Sequence, residues 1–300
     1  MTIKIKDKNG FTLIELLVAL FISLTTASIA YTFMSFNEKA YAVEDEKLHM
    51  QQSARTAVEM IQRDILFAGM GSNIFCSQGN VGSIKPAYGG GGANSDSISV
   101  YSPTADPVLT TLSIDMADSS DQFQVTDVSG FVGWVNGKGI ICDGVNYQRF
   151  NINLVQEGTK TIQHDSDYPA AHQYAAGTQL LLFKGKEMIY SIDNSDPSHP
   201  SLTKEILSWD NTLSLGASSG RKIVAKDVEA MQLVYILANG TSTQNPANPS
   251  DIRSVKIIFV ARTEHSDSNY NQGDNPFTAL NERDGYRRMV LSAIVKPRNI

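Results

Sequence analysis

The sequence predicts an α+β protein in which one long N-terminal helix packs on an antiparallel β-sheet head, and three observations carry that expectation. No proline occurs before Pro86 and no glycine between Gly10 and Gly69, so nothing interrupts a helix over residues 11–67. Within it Ala54, Val58, Ile61, Ile65 and Ala68 recur at helical spacing, the stripe of a helix that packs on a sheet. Beyond Gly71 the texture changes to short β-branched runs separated by Gly, Ser, Asn and Asp, which is the texture of strands and turns.

The helix begins in hydrocarbon. Residues 11–30 carry a single charge, and at about 1.5 Å per residue such a stretch crosses a bilayer core. Lys4, Lys6 and Lys8 precede it and stay cytoplasmic by the positive-inside preference, so everything after residue 31 is sent outside. Two plain readings exist: a secretory signal peptide cut after Ser28-Ile29-Ala30, and an uncleaved anchor. Glu15 speaks against both. At the centre of an apolar helix, a charged and unpaired carboxylate costs roughly 2.5 to 3.5 kcal/mol. Tyr31, Phe33, Phe36 and Tyr41 fit either the membrane boundary or packing in a helix bundle.

The run Gly10-Phe11-Thr12-Leu13-Ile14-Glu15-Leu16-Leu17-Val18-Ala19-Leu20 resembles the cleavage and methylation signature of type IV prepilins and type II secretion pseudopilins. That resemblance implies a leader over residues 1–10 and a prepilin peptidase cut between Gly10 and Phe11. It implies N-methylation of Phe11, a pilin helix over 11–68 with 11–30 in the membrane, and a periplasmic or extracellular β-rich head over 69–300. Glu15 then meets the freed amine of a neighbouring Phe11 and sets the axial register of each subunit, which gives the buried acid a cation. Softer matches at Arg63-Asp64-Ile65-Leu66-Phe67-Ala68-Gly69-Met70-Gly71, in 227–237 and 252–262, and at the ending 286–299 are similar to PilW-type minor pilins. They imply a non-enzymatic subunit that primes assembly of a type IV pilus and stays near its tip. Its partners would be the prepilin peptidase, other minor pilins, the major pilin, an inner-membrane assembly platform and membrane lipid. Its place would be the inner membrane, then the pilus at the cell surface. The alternatives are a J-type pseudopilin of a type II secretion system and a filament-borne adhesin or DNA-capture subunit.

Charge and chemistry narrow the field. The chain's net charge is -6, and without the leader's +2 it is -8, which disfavours binding to nucleic-acid phosphates. Cys76 and Cys142 are candidates for a disulfide in an oxidising compartment, the alternative being two buried free thiols. No HExxH occurs, and His49, His164, His172, His199 and His265 lack metal-ligand spacing and read as solvated or hydrogen-bonded. The glycine-rich run 133–139 lacks the spacing of a phosphate loop and reads as a turn. Asp193 and Asp196 cluster oxygen ligands that suit Ca²⁺, against the plainer reading of an Asp/Asn turn. No cofactor and no enzyme activity are expected.

In the head, strands are expected at 98–101, 123–128, 147–155, 179–183, 188–192, 228–237, 254–261 and 288–295, with 180–190 forming a hairpin that turns near Gly185. Long polar loops are expected at 83–97, 193–201, 239–251 and 264–285. Whether the head is one subdomain or two stays open.

Overall fold

The computed structural model describes residues 11–69, 83–87, 89, 95–103, 108–117, 122–131, 138–143, 147–166, 173–183, 185–208, 220–268, 270 and 284–298. One helix, α1, runs Leu13–Leu66, a length of about 81 Å at 1.5 Å per residue. It closes through Ala68 N–H to Ile65 O at 3.1 Å, and Gly69 follows at φ 66°, the left-handed conformation that ends a helix without a Cβ penalty. The Arg298 N–H caps the Leu66 carbonyl at 3.1 Å, one of the helix-end acceptors that would otherwise lack a partner.

The chain divides into two compact units, 1–49 and 50–300. In the first, the described residues are the exposed early part of α1. In the second, the buried helix positions are Met50, Ala54, Ala57, Ile61 and Ile65, followed by Ala68. The expected stripe named Val58 where the structure buries Ala57; Val58 packs only at the margin of the core. Ala57 fits the same helical period, and its small side chain lets the helix backbone approach the sheets.

Among the described residues fifteen strands follow: β1 (Ile84–Ala87), β2 (Ser97–Pro103), β3 (Val108–Thr111), β4 (Gln122–Gln124), β5 (Lys138–Cys142), β6 (Tyr147–Gln156), β7 (Thr161–Ser166), β8 (Gln179–Phe183), β9 (Gly185–Asp193), β10 (Ser201–Ser208), β11 (Lys222–Lys226), β12 (Val228–Leu237), β13 (Ser242–Thr243), β14 (Ile252–Arg262) and β15 (Arg288–Val295). Every described strand pairing is antiparallel. One sheet has the order β1-β2-β9-β10-β11 and a second the order β13-β12-β14-β15. A single core joins them to the helix: Ile61 and Ile65 meet Ile98, Tyr190 and Leu202 of the first sheet and Leu233, Ile257 and Phe259 of the second. The chain passes between the sheets at Asp227, whose φ of 57° is a conformation that Asp adopts more readily than bulkier residues.

The third sheet has the order β3-β8-β5-β6-β7-β4, and its two end strands meet. Leu112, just past β3, bridges Val125, just past β4. The Ser113 N–H donates to Gln124 O and the Thr126 N–H to Thr111 O, each at 2.9 Å. The six strands therefore close into a barrel, which removes open sheet edges. Its core of Leu112, Met116, Phe123, Val125, Ile141, Phe150, Ile152, Ile162, Tyr174 and Leu180 shares no residue with the core around the helix.

The barrel sits inside a hairpin. β2 and β9 are direct neighbours with Pro103 opposite Gly185, and residues 104–184 fill the connection between them. This corrects the expected hairpin at Gly185: β8 pairs with β3 and β5, whereas β9 pairs with β2 and β10. The two strands are adjacent in sequence, yet each already has partners on both sides in a different sheet. The expected strand 123–128 is also shorter, because the Asp127 carboxylate accepts from Ser129 N–H at 2.9 Å and turns the chain into a 3-10 helix at Ser129–Phe131. The expected loop 83–97 contains β1, and the loop 239–251 contains β13.

Separate cores predict separate local stability. Phe150 is 1% exposed, and Phe150→Ala should cost about 3 to 5 kcal/mol of barrel stability. Hydrogen exchange should show loss of protection in β6 and β7 with β12 and β14 unchanged; equal loss in all four would show that the head unfolds as one unit.

Candidate functional site

The described chain starts at Phe11, 90% exposed, and α1 starts two residues later. Thr12 is the N-cap. Its Oγ1 accepts from the Glu15 N–H at 3.3 Å, while a Glu15 carboxylate oxygen accepts from the Thr12 N–H and the Thr12 hydroxyl, both at 2.9 Å. This is a reciprocal capping box, in which a threonine and a glutamate three residues on satisfy each other's backbone donors. Glu15 therefore lies in the first turn of the described helix, not at the centre of an apolar one. At that place the carboxylate faces unpaired N–H groups and the positive end of the helix dipole. The sequence signal was present as Thr-x-x-Glu ahead of an apolar run. Gly10, the other half of the expected cut, lies outside the described residues.

Beyond the cap the helix is apolar around its whole circumference, with no part of its most hydrophobic window buried by the rest of the protein, and it is long enough to cross a membrane. Its hydroxyls are internally satisfied. Ser23 donates to Ala19 O at 2.8 Å, Thr26 to Ile22 O at 2.8 Å, Ser28 to Leu24 O at 2.9 Å and Thr32 to Ser28 O at 2.9 Å. Back-bonding of this kind lets polar side chains sit in hydrocarbon without a lost hydrogen bond. Tyr31, Phe33, Phe36 and Tyr41 are all exposed.

Residues 5–31 match the family model for the prokaryotic N-terminal methylation motif. The N-terminal segment is that of a type IV pilin-like or pseudopilin protein. No curated protein and no solved structure matches the chain.

In the head, the helix is tied to the first sheet by a polar clamp. Asp64 Oδ2 accepts from the Tyr190 hydroxyl and from Lys204 Nζ, each at 2.5 Å, with Lys204 lying 5.3 Å from the Tyr190 ring centre. Burial and the Asp64 carboxylate both push the Tyr190 phenol far above its ordinary value, so it stays a donor. At the start of β15, Arg288 Nε and Nη2 grip both Glu229 oxygens at 2.7 and 3.1 Å, and the same guanidinium pairs with Asp284. Burial works to raise the Asp284 pKa, but the hydrogen bonds from Arg288 and the Tyr286 N–H together hold it below the usual carboxylate range.

The Ca²⁺ candidates have other employment. Asp193 Oδ1 accepts from Ser195 N–H at 3.0 Å and Asp196 Oδ1 from Ser198 N–H at 2.9 Å, two Asx turns between β9 and β10. The backbone hydrogen bond from Ser195 leads in lowering the Asp193 pKa. Arg262 Nη2 donates to Pro197 O and Ser198 O at 2.6 and 2.9 Å, so a cation already occupies the carbonyls of this turn. Among the described residues no group of three His, Cys, Asp or Glu could hold a metal ion. The Cys76–Cys142 pairing lies outside the described residues, since only the backbone of Cys142, in β5, is described. His164 is buried, its ring 5.0 Å from Phe123 and 5.3 Å from Phe150 in the barrel core, so it is not a solvated histidine.

Gly216-Ala217-Ser218-Ser219-Gly220 has the GxSxG spacing of a hydrolase nucleophile turn. Residues 216–219 lie outside the described residues; that motif works between a strand and a helix, and the described chain beyond Gly220 is β11 from Lys222.

Two outcomes test these ties. Asp64→Ala leaves a half-buried ammonium and a buried phenol without their acceptor and should cost about 2 kcal/mol in chemical denaturation, with Asp64→Asn recovering part of the loss. The Asp284 carboxyl, depressed in the folded state, stabilises the fold above its unfolded pKa of about 3.9 and loses that contribution as pH falls through the folded value. Arg288→Met should therefore lower stability at pH 7 and flatten the acid limb of the stability curve below about pH 4.

Proposed function

We propose that the protein is a minor pilin of a type IV pilus, of the PilW type, that primes filament assembly, stays near the tip and has no catalytic activity. The observation that carries this reading is the methylation motif over residues 5–31, with Phe11 and Glu15 at the family's cleavage and acidic positions, on a helix able to cross a membrane. The softer likeness at the helix exit and the C-terminal strands supports the PilW type over other pilin-like proteins.

The mechanism is physical. A prepilin peptidase cuts after Gly10, and the capping box survives because Thr12 and Glu15 both lie on the retained side. Before assembly Glu15 has the Thr12 donors as partners. In the filament it also meets the amine of a neighbouring Phe11, which fixes the axial register where apolar packing alone would let helices slide. The apolar segment leaves lipid for a bundle of like helices, while an inner-membrane platform, the major pilin and other minor pilins supply the assembly path.

The motif is shared with pseudopilins, so the J-type subunit of a type II secretion system remains the second reading. Deletion should abolish surface pili with secretion of periplasmic enzymes intact; the reverse pattern would select the pseudopilin.

Mass spectrometry of the protein from envelope membranes should report an N-terminus at Phe11 carrying one methyl group; a start at Met1 or Tyr31 would overturn the reading. Glu15→Val should leave this processing intact and reduce incorporation into sheared pili at least tenfold.

A further inference from the structure

The inserted barrel is carried in a way that frees its surface. Its two ends meet at the Pro103–Gly185 pair, and neighbouring antiparallel Cα atoms lie only about 4.5 to 5.5 Å apart, so a two-residue turn could replace it. Its core is its own, and the core around the helix is complete without it. It also accounts for most of the chain's net charge: four basic and nine acidic side chains leave residues 104–184 at -5, within a net total of -6. A module that the rest of the head does not need for its core, and that carries its own charge, is placed to meet something else.

A cleft of about 230 Å³ opens on the barrel beside β4. It is lined by Ile114, Asp115, Met116, Gln122, Phe123 and Gln124, together with Thr161 from β7. The strand alternation sorts these chemically. Phe123 turns into the barrel core, whereas Gln122 and Gln124 stand exposed on the outer face, opposite Gln163 and Thr161 in the register with β7. The Gln124 amide presents a carbonyl acceptor and two N–H donors. Asp115 is fixed at the rim by the Ala176 N–H, 2.7 Å from its Oδ1. Met116 forms an apolar floor, and Ile114, 52% exposed, an apolar wall.

We propose that the inserted barrel is a ligand-binding module and that this cleft takes a neutral saccharide. Sugar hydroxyls donate and accept at once, which amide and carboxylate side chains match, while the C–H face of a pyranose packs against an apolar wall such as Ile114. The volume is below the range of drug-sized cofactor pockets and suits one or two sugar rings. The acidic module disfavours polyanions, so uronic acids and nucleic acid are poor ligands. This site does not depend on the filament reading, which rests on the other end of the chain.

The test uses the full chain in lipid nanodiscs and saturation-transfer NMR with galactose, N-acetylglucosamine and maltotriose, with galacturonate as the anionic counterpart. At least one neutral sugar should bind with a Kd of about 1 mM, and Gln124→Ala should weaken it at least tenfold without moving the melting temperature. Asp115→Asn, which keeps an acceptor for the Ala176 N–H, should weaken binding while preserving the fold. The proposal is overturned if no neutral sugar saturates below about 50 mM, if galacturonate binds as tightly as galactose, or if Gln124→Ala binds like the parent.

Discussion

The structure depends on a single helix that joins an apolar stretch long enough to cross a membrane to a stripe packed in the head core. Every backbone donor in hydrocarbon must find an acceptor within the helix itself, and the exposed N–H groups at its start are the weak point. Thr12 and Glu15 answer that demand locally, and the hydroxyls of Ser23, Thr26, Ser28 and Thr32 turn back onto carbonyls of the preceding turn. An acid among leucines is thus first a helix cap. The register role proposed for Glu15 is compatible with this, because a carboxylate can accept more bonds than Thr12 supplies.

From Met50 onward the same helix has a different task, and its residues change accordingly. Small and branched apolar side chains line one side, and Asp64 supplies a half-buried charge, matched by a hydroxyl and an ammonium from neighbouring strands. Apolar packing alone tolerates sliding by a helical turn, whereas a carboxylate with two fixed donors does not. The Glu229–Arg288–Asp284 cluster plays a comparable part between β12 and β15, where a planar guanidinium holds two acids from different segments. The barrel adds a further level of organisation: a hairpin of one sheet is opened at its tip and a closed six-stranded unit placed there, at little cost to either core.

Long-period and local features were legible in the sequence. The helix from Leu13 to Leu66 follows from a run without proline or internal glycine, and the strands β6, β8, β12, β14 and β15 follow from β-branched runs, because both signals lie within a few residues of each other. The acid at Glu15 was legible as unusual, and its cap with Thr12 was readable from spacing alone. The shorter strands β1, β3, β7 and β11 were not, since four to six residues of mixed polarity resemble loops until a partner strand supplies hydrogen bonds.

The sequence by itself determined the membrane-competent helix, the methylation motif and the antiparallel character of the head, because each is written in contiguous residues whose chemistry needs no distant partner. Only the tertiary structure decided which strands are neighbours. Leu180 and Tyr190 are ten positions apart and belong to different sheets, while Pro103 and Gly185 are far apart and lie side by side. Strand pairing is a contest among all available edges, and its outcome rests on shared burial that no local pattern records.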